Sequence, residues 1–186
     1  MMNITRLLVN FSKNTILETD RLVLKPLSIN DLDDYHEYSS DDETLKYDYL
    51  PHKTLKESEE GLVTWHLSAP LGKYGLFLKS SGKLIGNINF RPETNEKVFV
   101  GYTLNKNYWK KGYATEALQK LISLSFTQLG IKQIFAKVHS ENRASTALLL
   151  RLGFSLVNVE SNVKHYRGYT FDELTYEKRK DILSSF

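Results

Sequence analysis

Lys110, Lys111 and Gly112 stand directly before a predicted helix, in the stretch NYWKKGYATEA that runs from Asn107 to Ala117. A glycine inside a helix costs about 1 kcal/mol relative to alanine, so its presence here calls for a local reason. The first N–H groups of a helix have no partner within the helix, and together with the helix dipole they attract anions. Glycine allows a ligand to approach the backbone, and lysine matches the charge of phosphate. The stretch therefore predicts a pyrophosphate-binding turn, with an ordinary strand-to-helix turn bearing surface lysines as the alternative.

Motifs of several other kinds of site are missing from the sequence. It contains neither the G-x-x-x-x-G-K-[ST] nor the G-x-G-x-x-G pattern of nucleotide-binding loops, and no G-x-S-x-G nucleophile turn. Its five histidines have no H-E-x-x-H spacing, and it has no cysteine. We therefore expect no metal site and no disulfide framework.

The elements that must position the turn are a strand before it and a helix after it. KVFVGYTL alternates, with Val98 and Val100 on one face and Phe99 and Thr103 on the other. Apolar residues three and four apart predict a helix over 113–129, closed by a glycine. The same patterns predict strands at 21–27, 74–79, 83–90, 132–139, 154–160 and 173–178, and helices at 28–39, 54–69 and 142–152. This order predicts an α+β domain with a mixed sheet and a parallel crossover around the 113–129 helix.

Length and charge limit the class of protein. A chain of 186 residues fits one domain. We take 1–18 as an N-terminal extension and 19–186 as the domain. No apolar run approaches the roughly 20 residues of a membrane span, so we expect a cytoplasmic protein without a membrane partner. The formal net charge of +3 is too balanced for a dedicated nucleic-acid binder.

The segment WKKGYA resembles the acetyl-CoA-binding loop of the GCN5-related N-acetyltransferases (GNAT), [QR]-x-x-G-x-[GA]. Trp109 stands where Gln or Arg is usual, which is typical of the RimJ/RimL-like branch, whose loop is similar to YW-x-K-G-Y-A-T-E-A. Three further segments are similar to that branch: ETDRLVLKPL, GKLIGNINF and ENRAS…LLRLGF. The resemblance covers roughly Leu17 to Asp181.

This resemblance implies a fold and a cosubstrate site. The fold would be a mixed, mostly antiparallel sheet of six to seven strands with about four helices, its central strands splayed to admit acetyl-CoA. The backbone of Tyr102, Thr103 and Leu104 would bind the pantetheine arm, and Asn142 would bond the thioester region. The pyrophosphate would lie against the loop residues Trp109, Lys110, Lys111, Gly112, Tyr113, Ala114 and Thr115.

The implied activity is direct acetyl transfer from acetyl-CoA to an amine. Many relatives have a Tyr acid seven residues after the Asn, but Leu149 stands there in this chain. Ser145, three residues after Asn142, matches a serine of the RimL-like branch, and the resemblance implies that it is the acid for the CoA sulfur. Phe99 stands where relatives often carry a Glu base, so Glu141 or His139 would have to act through water. A catalytically idle acyl-CoA-binding domain on the same fold is the alternative.

The acceptor amine is predicted from charge. Residues 30–43 hold seven acids and no Lys or Arg, and they precede the 54–69 helix in the region where the family builds its acceptor wall. An acidic wall favours a cationic amine such as a peptide N-terminus, a polyamine or an aminoglycoside. A nucleic-acid module using Lys106 and the loop lysines is a further alternative, and we expect no nucleic-acid partner. The resemblance is compatible with a monomer or a homodimer.

Overall fold

A computed structural model describes residues 4–165 and 167–180 of the chain. The helices among them are α1 (Thr5–Ser12), α2 (Leu32–Ser39), α3 (Leu55–Gly61), α4 (Tyr113–Leu124) and α5 (Arg143–Arg151). The strands are β1 (Leu17–Glu18), β2 (Leu22–Lys25), β3 (Lys73–Leu78), β4 (Leu84–Pro92), β5 (Lys97–Leu104), β6 (Gln133–His139), β7 (Ser155–Lys164) and β8 (Thr170–Arg179). None of the described helices is both long enough and apolar enough to cross a bilayer.

The eight described strands form one sheet in the order β1-β2-β3-β4-β5-β6-β8-β7. β5 pairs with β6 in parallel, and the registers of β1–β2, β2–β3, β3–β4, β6–β8 and β7–β8 are antiparallel. The predicted α+β class with a mixed, mostly antiparallel sheet is confirmed. The described residues form eight strands and five α-helices, whereas six to seven strands and about four helices were expected. The additional elements are β1 and α1, which lie in residues 1–18, where no element was predicted.

The chain divides into two compact units. Unit 1 contains residues up to 10, 90–101 and from 121 onward, and unit 2 contains 11–89 and 102–120. The division of the chain into an extension (1–18) and a domain (19–186) stays a prediction. Residues 1–3, 166 and 181–186, which that division includes, lie outside the described residues.

Unit 2 contains α2, α3 and strands β1, β2 and β3. Its buried apolar cluster joins Leu27, Tyr35, Tyr38, Leu62, Phe77 and Leu84. The predicted helix start at Ser28 is present, since Asp31 Oδ2 accepts a hydrogen bond from the Ser28 N–H at 2.7 Å. A short 3₁₀ turn over Ile29–Asp31 then leads into α2. Thr54 caps α3 by accepting from the Glu57 N–H at 3.1 Å.

Unit 1 holds α5 and the antiparallel strands β6, β8 and β7. The N-terminal segment contributes to it as well, because Leu7 is fully buried and the Asn10 side chain donates to the Leu129 carbonyl at 3.0 Å. Burial along β6 alternates at Ile134, Ala136 and Val138, as expected of a strand with one face on the core.

Two helices change from α-helical to π-helical geometry at their C-terminal ends, which the sequence pattern did not predict. α3 continues as a π-helical turn over Leu62–Leu67, and α4 continues as one over Ser125–Leu129. Hydroxyl groups there donate to carbonyls four residues back, such as Ser125 Oγ to Leu121 O at 2.7 Å. These bonds compete with the regular backbone ladder and so favour local widening. The predicted terminal glycine is present at Gly130, with φ +75°.

Candidate active site

The conformation of the turn before α4 explains why a glycine stands at position 112. Gly112 lies outside the helix, with φ +83°, and its carbonyl accepts from the Glu116 N–H at 3.0 Å, so it caps the first turn. Lys110 is also left-handed, with φ 61°. Residues with a side chain rarely adopt such φ angles, whereas glycine adopts them without strain. Lys110, Lys111 and Gly112 are all exposed, so a ligand can reach both the cations and the backbone.

Arg21 holds this turn in place, and sequence reasoning did not single it out. Its Nη1 donates to the Lys111 carbonyl at 2.9 Å, and its Nε donates to Glu116 Oε2 at 2.7 Å. Its guanidinium also lies 4.4 Å from the centre of the Tyr113 ring. Arg21 therefore joins the chain before β2 to the N-terminus of α4. The only sequence signal was its position inside the segment ETDRLVLKPL.

Glu116 is charged in the folded protein. Burial raises its pKa, but hydrogen bonds from the Thr19 hydroxyl and from the backbone and side chain of Arg21 outweigh that effect and leave the pKa below its usual value. The Thr19 bond is 2.5 Å and the bond from the Arg21 N–H is 2.9 Å. A carboxylate in the first turn of α4 is also favoured by the helix dipole.

Trp109 links the turn to the end of β5 by a hydrogen bond. Its indole Nε1 donates to the Leu104 carbonyl at 2.6 Å. Trp109 therefore has a structural role that does not depend on a phosphate. The same hydrogen bond occupies one of the two lone pairs of the Leu104 carbonyl oxygen. Lys111 is likewise engaged, since its Nζ donates to the Asn107 carbonyl at 3.0 Å.

β5 closely approaches β4 at Thr103. A Cβ on Gly86 would lie 2.3 Å from the Thr103 carbonyl oxygen, a distance at which no side chain fits. The Thr103 hydroxyl donates to Asp48 Oδ2 at 2.6 Å. Both contacts fix the strand residue that the resemblance assigned to pantetheine.

The parallel pairing of β5 with β6 is short. In unit 1 the register runs from Lys97↔Gln133 to Phe99↔Phe135, while β5 continues to Leu104 and β6 to His139. The Phe99 and Phe135 rings are 5.4 Å apart at the end of that register. The parallel register within unit 1 therefore covers three residue pairs.

Asn142 and Ser145 lie together at the start of α5 in unit 1. Asn142 Oδ1 accepts from the Ser145 N–H at 3.1 Å, so Asn142 is the N-cap of this helix. The cap uses only Oδ1, and the Nδ2 group remains able to donate. Both residues are half-buried.

His139 is a poor candidate for a base at Nδ1. That atom accepts from the Glu141 N–H at 3.1 Å, and a backbone N–H can only donate. The neutral ring therefore carries its proton on Nε2, and protonation of Nδ1 would break the bond. The ring is 5% exposed and stacks on Phe171 at 4.2 Å. Glu141, the other candidate, is exposed.

Two lysines contact four of the seven acids in the segment 30–43, which lowers the negative charge expected of an acidic wall. Lys83 lies 2.7 Å from Asp34 and 2.8 Å from Glu37. Lys106 lies 2.6 Å from Asp41 and 3.3 Å from Glu43. Counting residues 30–43 alone could not show this, because both lysines lie far along the chain. Within residues 4–165 and 167–180, no group of three His, Cys, Asp or Glu side chains is placed to hold a metal ion.

Comparison with known proteins identifies the family. The model of the acetyltransferase (GNAT) domain family matches residues 21–155. The chain belongs to the GNAT acetyltransferase family. This acetyltransferase is 31% identical over 162 residues to the uncharacterized N-acetyltransferase p20 of Bacillus licheniformis, covering 84% of this chain and 91% of that protein.

Solved structures show the same fold. A GNAT-family acetyltransferase from Bacillus anthracis superimposes with a TM-score of 0.80 at 22% identity, over 88% of this chain and 98% of that one. The ribosomal-protein alpha-N-acetyltransferase RimL, in complex with coenzyme A, gives a TM-score of 0.79 at 19% identity, over 89% and 98% of the two chains. The protein is thus an acyltransferase of a family whose donor is acetyl-CoA.

Proposed function

We propose that this acetyltransferase moves the acetyl group of acetyl-CoA directly to a primary amine, without a covalent enzyme intermediate. The observation that carries the proposal is the exposed left-handed turn at Gly112, which stands at the N-terminus of α4 within the residues that match the family. The donor's pyrophosphate would bind the N–H groups from Gly112 to Thr115 and the two lysines beside them. Arg21 would hold this turn during binding through its bonds to the Lys111 carbonyl and to Glu116.

The pantetheine arm would run along Tyr102 to Leu104, using backbone groups of the strand. Leu104 offers less than the others because the Trp109 indole already bonds its carbonyl. The Nδ2 group of Asn142 would donate to the thioester region. Donors aimed at a carbonyl oxygen stabilise the charge that develops there when an amine attacks.

The chemical step needs one proton at sulfur. The amine nitrogen attacks the thioester carbon, the C–S bond breaks, and its electron pair stays on sulfur. Ser145 would donate a proton to that sulfur and be reprotonated from water. The nitrogen loses one proton as the amide forms and sulfur gains one, so a neutral amine reacts without net release of a proton. An acceptor that enters as an ammonium group releases one proton overall.

We infer that an α-amine is the best supported acceptor class. An α-amine has a pKa near 8 and a lysine side chain one near 10.4, so about a tenth of the former is neutral at pH 7. The pairing of Lys83 and Lys106 with the acidic segment weakens the case for a polyamine or an aminoglycoside. The relative RimL acts on a protein α-amine according to its name.

A catalytically idle acyl-CoA-binding domain is the second candidate. Two observations favour it: Phe99 packs on Phe135 at the expected base position, and Leu149, at the expected Tyr position, is fully buried. Such a domain would bind acetyl-CoA but release no thiol.

A thiol-release screen tests the proposal. Acetyl-CoA would be incubated with the protein and an N-terminal peptide panel, spermidine or an aminoglycoside, while calorimetry measures acetyl-CoA binding. We expect binding together with thiol release that is fastest for a peptide. Binding without release for any amine would establish the idle domain instead, and absence of binding would exclude both.

A further inference from the structure

The carboxylate of Glu37 on α2 faces three hydrogen-bond donors within unit 2. Its Oε2 accepts from Lys83 Nζ at 2.8 Å, and its Oε1 accepts from Asn105 Nδ2 at 2.8 Å. Asn107 Nδ2 donates to the same Oε1 at 3.3 Å. The hydrogen bond from Lys83, with smaller effects of the two asparagines, lowers the pKa of Glu37 in spite of its partial burial. A carboxylate has two oxygens and no donor, so it can accept from all three groups at once.

The backbone fixes which end of the Asn105 amide points at Glu37. Asn105 Oδ1 accepts from the Asn107 N–H at 3.0 Å, and a backbone N–H can only donate. The other end of the amide is therefore the NH₂ group, which donates to the carboxylate. Asn105 is 2% exposed, and its own N–H donates to the Ile85 carbonyl at 2.9 Å. Glu37 thus holds a buried side chain whose donor and acceptor ends are both engaged.

The segment that Glu37 holds leads directly into the turn before α4. Asn105 is the N-cap of a 3₁₀ turn over Lys106–Tyr108, and the turn before α4 follows it in the chain. The carbonyl of Asn107 accepts from Lys111 Nζ at 3.0 Å. Two hydrogen bonds in series therefore connect the carboxylate on α2 with a lysine of the proposed pyrophosphate site.

We propose that Glu37 is a positioning residue for acetyl-CoA, which acts through Asn105 and Asn107 on the turn that contains Lys111. The inference rests on the proposed function, in which this turn binds the pyrophosphate of acetyl-CoA. A turn that is ordered before the ligand arrives loses less entropy on binding. Glu37 therefore raises the affinity for acetyl-CoA through the turn, without contacting the ligand itself.

The test measures the Kd for acetyl-CoA by calorimetry and the Tm by thermal melting in three single variants. Glu37→Ala removes all the contacts of the carboxylate. Glu37→Gln keeps the size of the side chain, but its single oxygen can accept from Lys83 or from the asparagines and not from both. Asp34→Asn is the matched control, because it removes one charge from the same helix and its hydrogen bonds go to Lys83 and the Leu84 N–H.

Glu37→Ala should raise the Kd for acetyl-CoA about 5- to 20-fold. This is less than the direct loss of a hydrogen bond to a charged group, because the effect reaches the ligand only through the turn. Glu37→Gln should give a smaller loss in the same direction. Asp34→Asn should keep the Kd within about twofold of the unaltered protein, even if its Tm falls, because distant sites with separate partners behave independently.

A double variant tests the route of the effect. If Glu37 acts through Asn105, the Glu37→Ala, Asn105→Ala protein should bind acetyl-CoA about as well as Asn105→Ala alone, because residues in one network are not additive. A loss equal to the product of the two single losses would overturn the inference.

Two further results would also overturn it. One is an unchanged Kd in both Glu37 variants, and the other is an Asp34→Asn protein that loses as much affinity as Glu37→Ala, which would assign the effect to the stability of α2. If Glu37→Ala does not fold, Glu37→Gln decides between the same outcomes. An unaltered protein that does not bind acetyl-CoA would contradict the proposed function and this inference together, whereas normal binding with insensitive variants refutes the inference alone.

Discussion

The residue Gly112 combines two requirements that only glycine meets here. Its φ of +83° belongs to the left-handed region, and its exposed backbone faces solvent at the start of α4. A Cβ would lie 3.3 Å from Arg21 Nη2, the side chain that holds the turn. The structure therefore links the glycine both to the conformation of the turn and to the space in front of it.

Gly112→Ala should weaken acetyl-CoA binding at least tenfold, because the Cβ occupies the space in which pyrophosphate approaches the backbone. Calorimetry with acetyl-CoA measures this effect. Gly82→Ala is the matched control, since Gly82 has φ +72° and open space around its Cβ, so it carries the same backbone strain without a proposed ligand. Equal affinities of the two variants would show that the turn does not hold the pyrophosphate.

Ser145→Ala should lower kcat about 10- to 100-fold, near the low end of the range for general acid catalysis, because water can partly replace a hydroxyl donor. The α5 cap should persist, since Asn142 bonds the backbone N–H of residue 145 and not its side chain. Steady-state kinetics with Ser140→Ala, an exposed serine of the same turn, provide the comparison. An unchanged kcat with a lowered Tm would mark Ser145 as structural.

The element that organises the proposed donor site is the first turn of α4. Arg21 and Lys111 are separated by 90 residues, and Arg21 and Glu116 by 95. The pair is partly exposed, with side-chain accessibilities of 47% and 18%, so its direct contribution to stability is small. We propose that the pair orders the turn before acetyl-CoA binds and so lowers the entropic cost of binding.

Arg21→Met should raise the Kd for acetyl-CoA about tenfold while reducing the free energy of unfolding by only about 1 kcal/mol or less. Lys79→Met is the matched control, because it removes a comparable surface ion pair, with Glu18 at 2.8 Å, away from the turn. Calorimetry and urea titration are the two measurements. Equal acetyl-CoA affinity in both variants would contradict the ordering role.

His66 contributes a pH dependence to the stability of the whole molecule. This side chain is 3% exposed, and its Nδ1 has no hydrogen-bond partner among the described residues. Burial, with a smaller effect of Lys73, lowers its pKa from 6.5 to about 4. The unfolded chain binds a proton between these values and the folded chain does not, so stability falls as the pH drops from about 6.5 to 4.

His66→Leu should flatten this dependence. Leu cannot take up a proton and leaves no buried polar atom, so the variant should be at least as stable as the parent at pH 5 and close to it at pH 7.5. The difference between the two proteins should grow by up to about 3 kcal/mol towards pH 4. Urea titrations across this range measure it, and parallel pH profiles would show that another group governs acid stability.

The sequence by itself determined the features that depend on short stretches of chain. Periodicity in 113–129 predicted α4 with its terminal Gly130, and alternation predicted β5, because each pattern reports one face of one element. The turn WKKGYA and three further segments were enough to indicate the family and its donor. α1 and β1 were missed, since an eight-residue helix and a two-residue strand leave too little pattern to detect.

Only the tertiary structure decided how distant side chains pair. It brought Arg21 to the Lys111 carbonyl, Lys83 and Lys106 to the acidic segment, and Asp48 to Thr103. It also set the tautomer of His139 through the Glu141 N–H. Such pairings depend on the strand order and on the packing of α2 over the sheet, and no local pattern encodes them. The proposed donor turn was therefore readable from sequence, whereas its contacts with Arg21 required the fold.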